Sequence, residues 1–379
     1  MPSNGGHTSP VATSTTQSVY IRVAQVNVLP IPDPATNPPL TPTSGHLYLI
    51  EGTIDAIGRY AGATVDWLVK VAHLICDPRG GGRLYTHPGD SSDWYDLDRT
   101  PSWHEVVQGD PLLPAIYEFV PTAPIFLSKI SRRHMHSATT EGSQSSAATF
   151  REEIGQREGG RCPVTRAPAP LTGSHLIPKR MGSDGARDVV ARFCGETAAL
   201  GIHRFHPKLG ILLFYTLDPL VDNFALGFYH VTGDTYLLHN FDTVPDRTLI
   251  GTPPGCFPGD HLTPPLHLFS VTLSVHNPNI SLPPVGVFDW HYLQCVIRMF
   301  GTKEYNDVLN IVFHALPFKT GDDSDDDSGD DSVSDNGGLE PPYPSYPLDR
   351  LLEEQWKRQK EIEHRKEVVR WSAGVPSGI

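Results

Sequence analysis

No stretch of this chain approaches eighteen consecutive apolar residues, so nothing in it is expected to cross a membrane. It also lacks paired cysteines. The five thiols, at positions 76, 162, 194, 256 and 295, are scattered, with no CxxC and no paired zinc spacing. An odd number of distant cysteines in a long chain reads as reduced thiols, which excludes a disulfide-stapled scaffold and a cysteine-rich zinc module. Met1 to Gln17 is rich in Ser, Thr, Gly and Pro but has no apolar core of a secretory signal. The expectation is therefore an intracellular protein of the nucleus or cytoplasm. Internal repeats are missing, and so is an excess of basic residues. The net charge of −13 at first argues against nucleic acid as a partner.

That charge is unevenly placed. Residues 321–340 hold nine acidic residues and no basic one, so the remainder carries −13 minus −9, or −4. The body is close to neutral, with local basic clusters at Lys129, Arg132 and Arg133 and at Lys179 and Arg180. A basic groove is allowed. Proline (36) and glycine (34) are both abundant, which predicts many turns and irregular connections rather than long regular helices.

The pattern along the chain predicts an α+β protein. Residues 1–17 read as disordered by composition, and residues 18–130 as a β-rich mixed N-terminal module. Within it Ser18–Pro30, His46–Ile54 and Ile116–Val120 are expected strands, while Thr64–Leu74 reads equally as a helix or a buried strand. Residues 131–160 form a link and a helix (147–158). Residues 161–242 carry the chemistry, with a helix over 184–193 capped by Ser183 or Asp184, an apolar run Gly210–Tyr215, a short helix 217–224, and a hairpin around Thr232-Gly233-Asp234. Residues 243–320 extend this module, with an amphipathic helix over 290–300 and Asp307–Phe313 continuing the fold. Residues 321–348 are an acidic disordered linker, and 349–379 a charged helix with Glu/Lys/Arg pairs at i,i+4.

Arg161-Cys162-Pro163-Val164-Thr165 is the most informative stretch. A β-prone run opens at the cysteine and turns through Ala167-Pro168-Ala169-Pro170. It returns so that His175 of Ser174-His175-Leu176-Ile177-Pro178 ends a second short strand. Then follow Gly210-Ile211-Leu212-Leu213, Leu217-Asp218-x-x-Val221-Asp222 and Phe228. This order of landmarks, over about a fifth of the chain, resembles the HNH endonuclease family, and among its members the HNH-domain proteins abundant in fungi. The Asp289-Trp290-His291-Tyr292 helix is similar to the C-terminal elaboration of those proteins.

The resemblance implies a ββα-metal module that hydrolyses DNA phosphodiester bonds with one divalent cation, Mg or Mn. In that family a strand-ending histidine is the general base, an asparagine before the apolar turn holds the geometry, and a helix histidine helps bind the cation. An imidazole titrates near working pH and can take a proton from water, while the cation supplies Lewis-acid stabilisation. Carried over by position, the base is His175, the asparagine position falls on Leu209, and the helix histidine position falls on Asp218. Asp218, with Asp222 as a second candidate, is then the expected metal ligand, since carboxylate oxygens suit hard cations. Lys179 and Arg180 are the expected contacts to phosphate backbone. His203 and His206, in the forty-three-residue step from His175 to Asp218, are substitute candidates or ordinary loop residues.

With one of three signature residues intact, the alternative is a degenerate HNH scaffold that binds nucleic acid or protein without cutting. A third reading is an interaction protein whose C-terminal helix recruits a protein partner. Asp218 before Pro219 is equally an ordinary helix N-cap, and Cys162 a small buried residue.

Overall fold

The computed structural model describes residues 17–28, 45–86, 103–128, 144–242 and 266–306. The chain divides into two units, residues 1–318 and 319–379, and every described residue lies in the first. The acidic linker, the charged C-terminal helix, the basic trio Lys129, Arg132 and Arg133, and Asp307–Phe313 lie outside the described residues, as does all but the last residue of the segment 1–17.

The described part is α+β. In chain order its elements are β1 (Ser18–Ala24), β2 (His46–Thr53), α1 (Ile54–Ala61), α2 (Asp66–Cys76), β3 (Gly82–Thr86), β4 (His104–Glu105), β5 (Ile116–Pro121), α3 (Gln144–Arg157), β6 (Leu171–His175), α4 (Gly182–Cys194), α5 (Glu196–Ala199), β7 (Gly210–Phe214), α6 (Asp218–Asp222), β8 (Leu226–Thr232), β9 (Thr235–Asn240), β10 (Phe269–Thr272) and α7 (Val285–Phe300).

The N-terminal strands form one sheet in the order β2-β1-β5-β3-β4, parallel only between β1 and β5. Its alternation places Val19, Ile21 and Val23 in the core. The ambiguous segment after Thr64 is a helix. Leu68, Val71, Ala72 and Ile75 are fully buried at helical spacing, so α2 offers one continuous stripe to the sheet.

Hydrophobic packing is continuous across the positions where composition suggests module boundaries. One cluster of buried side chains runs from Val19 to Tyr305. The segment after α7 completes the outer edge of β2: Thr302 N–H donates to the Leu49 carbonyl at 3.2 Å and Thr302 Oγ1 to the Tyr48 carbonyl at 2.5 Å. Buried polar groups also cross the boundaries. Trp67 Nε1 of α2 donates to the Tyr292 hydroxyl of α7 at 2.6 Å, and that hydroxyl lies 2.6 Å from His239 Nδ1 of β9. A Trp N–H that fills one lone pair of the hydroxyl leaves its proton for the imidazole, so all three buried groups are satisfied. His291 of α7 sits 3.0 Å through Nε2 from the carbonyl of Val221, which ties α7 to α6.

Two local expectations are corrected. Residues 162–167 form a tight turn rather than a strand: Arg166 N–H donates to the Cys162 carbonyl and Cys162 N–H to the Ala167 carbonyl, at 2.8 and 3.0 Å, with Arg166 at φ 62°. The strand that pairs with β6 is β7, contributed from thirty-five residues downstream of His175. Likewise α4 starts at Gly182 behind Met181, with no side-chain cap. Ser183 Oγ instead accepts from the Arg204 N–H at 3.3 Å, tying the helix to the loop before β7.

Candidate functional site

β6 and β7 pair antiparallel with Leu171 opposite Phe214, Gly173 opposite Leu212 and His175 opposite Gly210. Successive residues of a strand point to opposite faces, so Ser174 and His175 necessarily part company. The neighbours bear this out. A Cβ on Gly173 would meet Phe150 and Arg151 of α3, and a Cβ on Gly210 would meet Phe150 Cζ at 2.3 Å. Gly173, His175, Gly210 and Leu212 therefore share the face covered by α3. Ser174 and Ile211 look the other way, toward α6 and the main core.

On the α3 face His175 lies in an aromatic slot. Its ring stacks on Phe150, with centroids 4.0 Å apart and planes 20° from parallel, and meets Phe205 edge-on at 5.9 Å and 76°. The imidazole hydrogen-bonds to the Arg204 carbonyl, while Nε2 is buried with no hydrogen-bond partner. A carbonyl only accepts, so the ring proton sits on Nδ1 and Nε2 is a bare acceptor. Burial, and after it the charge of Lys179, depress the His175 pKa to about 3 against the pull of that carbonyl. The ring is neutral at any physiological pH. Lys179 Nζ stands 5.9 Å and Arg204 Cζ 5.1 Å from the Phe205 ring centre, within cation–π reach.

The α3 face is fastened at its edge by charge. In the β6–β7 ladder Gly210 and Leu212 turn their backbone groups away from β6. Arg157 Nη2 donates to the Gly210 carbonyl at 2.8 Å, and Glu158 Oε2 accepts from the Leu212 N–H at 2.8 Å. Arg157 also donates to the Pro207 carbonyl at 2.8 Å and to Glu158 itself. The pair at the end of α3 supplies one donor and one acceptor in the pattern a third strand would supply, and so blunts the β7 edge. Arg157 has no exposed surface, and burial pushes the Glu158 carboxyl upward against the opposing effects of Arg157 and the Leu212 N–H.

The α6 face is different in kind. Asp218 is the first residue of α6, behind Leu217, and makes no cap; the expected N-cap role is corrected by the bond it makes instead. Its Oδ1 accepts from Ser174 Oγ at 2.6 Å. Burial raises its pKa, the Ser174 hydroxyl and Lys179 oppose this, and Asp222 adds to it. Asp222 is exposed at the end of α6.

The structure thus brings Asp218 and Asp222 near one another on the α6 face and puts His175 on the other. The imidazole and the carboxylate expected to share one gap therefore start from opposite faces of this hairpin. Lys179 is the expected residue that both sides feel, exposed in the single turn that follows β6; Arg180 is half-buried beside it. His206 is not a substitute ligand: its Nδ1 accepts from the Lys208 N–H at 3.2 Å and ends the loop before β7. Leu209, at the asparagine position, is fully buried and passes its carbonyl to the Leu176 N–H. Cys162 is buried, with Sγ accepting from the Thr165 N–H at 3.4 Å. Among the described residues no group of three or more His, Cys, Asp or Glu side chains is placed to hold a metal ion. One Asp218 oxygen is engaged by Ser174, and Asp222 is the other carboxylate on that face.

No family model matches the chain, and no curated protein or solved structure matches it either. Sequence reasoning missed Phe150, Phe205 and Arg204, which make the His175 slot, and the Arg157–Glu158 pair. Strand alternation at Ser174-His175 was the one available signal, since it already assigns the two side chains to different faces.

Proposed function

We propose that residues 161–242 are a ββα module of the HNH type, with β6 and β7 as the strands and α6 as the helix, which binds nucleic-acid backbone without hydrolysing it. The observation that carries this reading is the parting of His175 and Asp218 onto opposite faces of one hairpin. Hydrolysis needs the base and the charge-stabilising ligand on the same phosphate. What remains on the α3 face is a neutral imidazole beside Phe205, with Lys179 and Arg204 within cation–π reach of that ring, which suits electrostatic attachment to DNA phosphates.

A second reading, divalent-metal-dependent cleavage with His175 as general base, is favoured by one feature: the bare Nε2 is the tautomer a base needs. A proton acceptor held near pKa 3 is a weak one at neutral pH, so the binding reading ranks first.

Two measurements test the choice. Supercoiled plasmid incubated with Mg²⁺ or Mn²⁺ should stay intact with the wild type and with His175→Ala alike. A short labelled duplex in EDTA should be bound, with affinity falling against salt at a log–log slope of about −2 if Lys179 and Arg204 each neutralise one phosphate. Nicking by the wild type that His175→Ala abolishes would establish the second reading. No duplex binding at low salt would remove the first.

A further inference from the structure

We propose that the phosphate seat of this module lies on the α3 face, formed by Lys179, Arg204 and His175 around the Phe205 ring, that it needs no divalent cation, and that His175 takes up a proton when phosphate enters. The proposal rests on the binding reading above and places its contact.

Three groups that are cationic, or become so on gaining a proton, converge on one buried aromatic ring. Lys179 and Arg204 stand 5.9 and 5.1 Å from its centre, and the His175 ring centre is 5.9 Å away. The two permanent cations belong to separate segments, the turn after β6 and the loop before β7, so their meeting is a product of the fold. The second observation is the orphaned Nε2. A bare lone pair repels a phosphate oxygen, whereas an N–H donates to it. Phosphate held by Lys179 and Arg204 therefore favours the protonated ring, which donates through Nε2 while Nδ1 keeps the Arg204 carbonyl.

The surroundings let the proton in only when the anion comes with it. From α3 the ring meets Phe150, from the loop Phe205 and the Arg204 carbonyl, and from β7 Gly210; none of these carries a charge. Lys179, from the turn after β6, is the charge that acts on the ring, and it opposes protonation. Asp218 and Asp222 belong to the other face. Phosphate screens Lys179 and supplies the missing acceptor, so both changes push the same way. His175 as a whole is only half-buried, Arg204 is half-buried and Lys179 exposed, so the slot lies at the surface of the module.

The test is anisotropy of a labelled DNA duplex on the full chain in EDTA, from pH 8 down to 5.5, at constant ionic strength. The wild type should tighten as pH falls, by up to about tenfold per unit, the limit for one linked proton. His175→Phe, which refills the aromatic slot, should lose the tightening, so that its affinity no longer changes between pH 8 and 5.5. Lys179→Ala should bind more weakly throughout and keep the tightening. No wild-type binding at any pH sinks the binding reading itself. Binding with an undiminished pH slope in His175→Phe, or binding only when Mg²⁺ is restored, sinks this inference and leaves that reading standing. Should His175→Phe not fold, the wild type decides: NMR titration of its imidazole C–H signals should show the midpoint of His175, about 3 in the free protein, moving up with added pyrophosphate. An unmoved midpoint overturns the proposal.

Discussion

On one face of the β6–β7 hairpin His175 is enclosed by rings and overlooked by cations; on the other Asp218 is held by a serine hydroxyl and looks toward a second carboxylate. The two sites lie one residue apart in β6, where Ser174 serves one and His175 the other. One strand can therefore carry an aromatic surrounding and a carboxylate surrounding back to back, with Lys179 acting on both. The lesson concerns motif carry-over. Two residues at the right places in sequence order make a joint site only if strand alternation sends them to one face, and here it sends them to two.

The comparison depends on α3 being held against β7, so breaking that hold has the largest expected effect. Arg157→Met leaves the Glu158 carboxylate buried without its cation and the Gly210 carbonyl without its donor. Removing one partner of a buried pair costs about 3–5 kcal/mol, which urea denaturation reads as a large fall in midpoint. A loss below about 1 kcal/mol, the level of an exposed pair, would mean that α3 is held by apolar contact alone and that the charged edge is incidental.

A gentler break acts on the α3 face only. Gly210→Ala places a methyl 2.3 Å from Phe150 Cζ, 2.7 Å from the Ser174 carbonyl oxygen and 3.0 Å from Ile154. Overpacking of this kind costs about 1–3 kcal/mol, and the ring that yields is the one on which His175 stacks. The measurable sign is a lower thermal midpoint together with a His175 imidazole signal displaced from its ring-current position. A neutral change would show that α3 stands off further than the contacts imply.

Much of this architecture was legible in the sequence. The helical spacing of α7, the hairpin at Thr232-Gly233-Asp234 and the run Gly210–Phe214 appear where local pattern places them, while β1 starts at Ser18 as expected but stops at Ala24, where the helical turn Gln25–Asn27 replaces the rest of the strand expected to reach Pro30. Thr64–Leu74 resisted because a stripe buried on nearly every side hides its period; only its packing partners decide it as α2. Cys162–Thr165 reads as strand because its residues are β-prone, yet the backbone bonds among residues 162, 166 and 167 curl it into a turn. At the site, His175 and Asp218 were visible as residue types. Their surroundings were not. Phe150, Phe205 and Arg204 reach His175 from segments up to thirty positions away, and Arg157–Glu158 looks like a surface charge pair until β7 lies beside it. Burial created by tertiary contact leaves no local trace.

The smallest effect separates the two faces by sign. His175 has a folded pKa near 3, below the roughly 6.5 of an unfolded histidine, so between those values the unfolded chain binds more protons. Its contribution to stability is complete above pH 6.5 and is lost as pH falls toward 3, at a limiting slope of about 1.4 kcal/mol per unit. His239 and His291, depressed by burial to about 3 and 4, add to the same limb. His175→Phe should therefore make the acid loss of stability shallower without abolishing it. Asp218 works the other way. Its folded pKa is raised, so the folded state holds a proton more readily than the unfolded one, and the strain of its carboxylate is relieved as pH falls through the folded value. Asp218→Asn removes that relief, so the acid limb should steepen slightly while stability near neutral pH rises or holds. Denaturant midpoints for both variants at pH 7, 6 and 5 give the comparison directly. Limbs that change in the same direction would mean that the two residues share one electrostatic environment after all, and that the hairpin does not divide it.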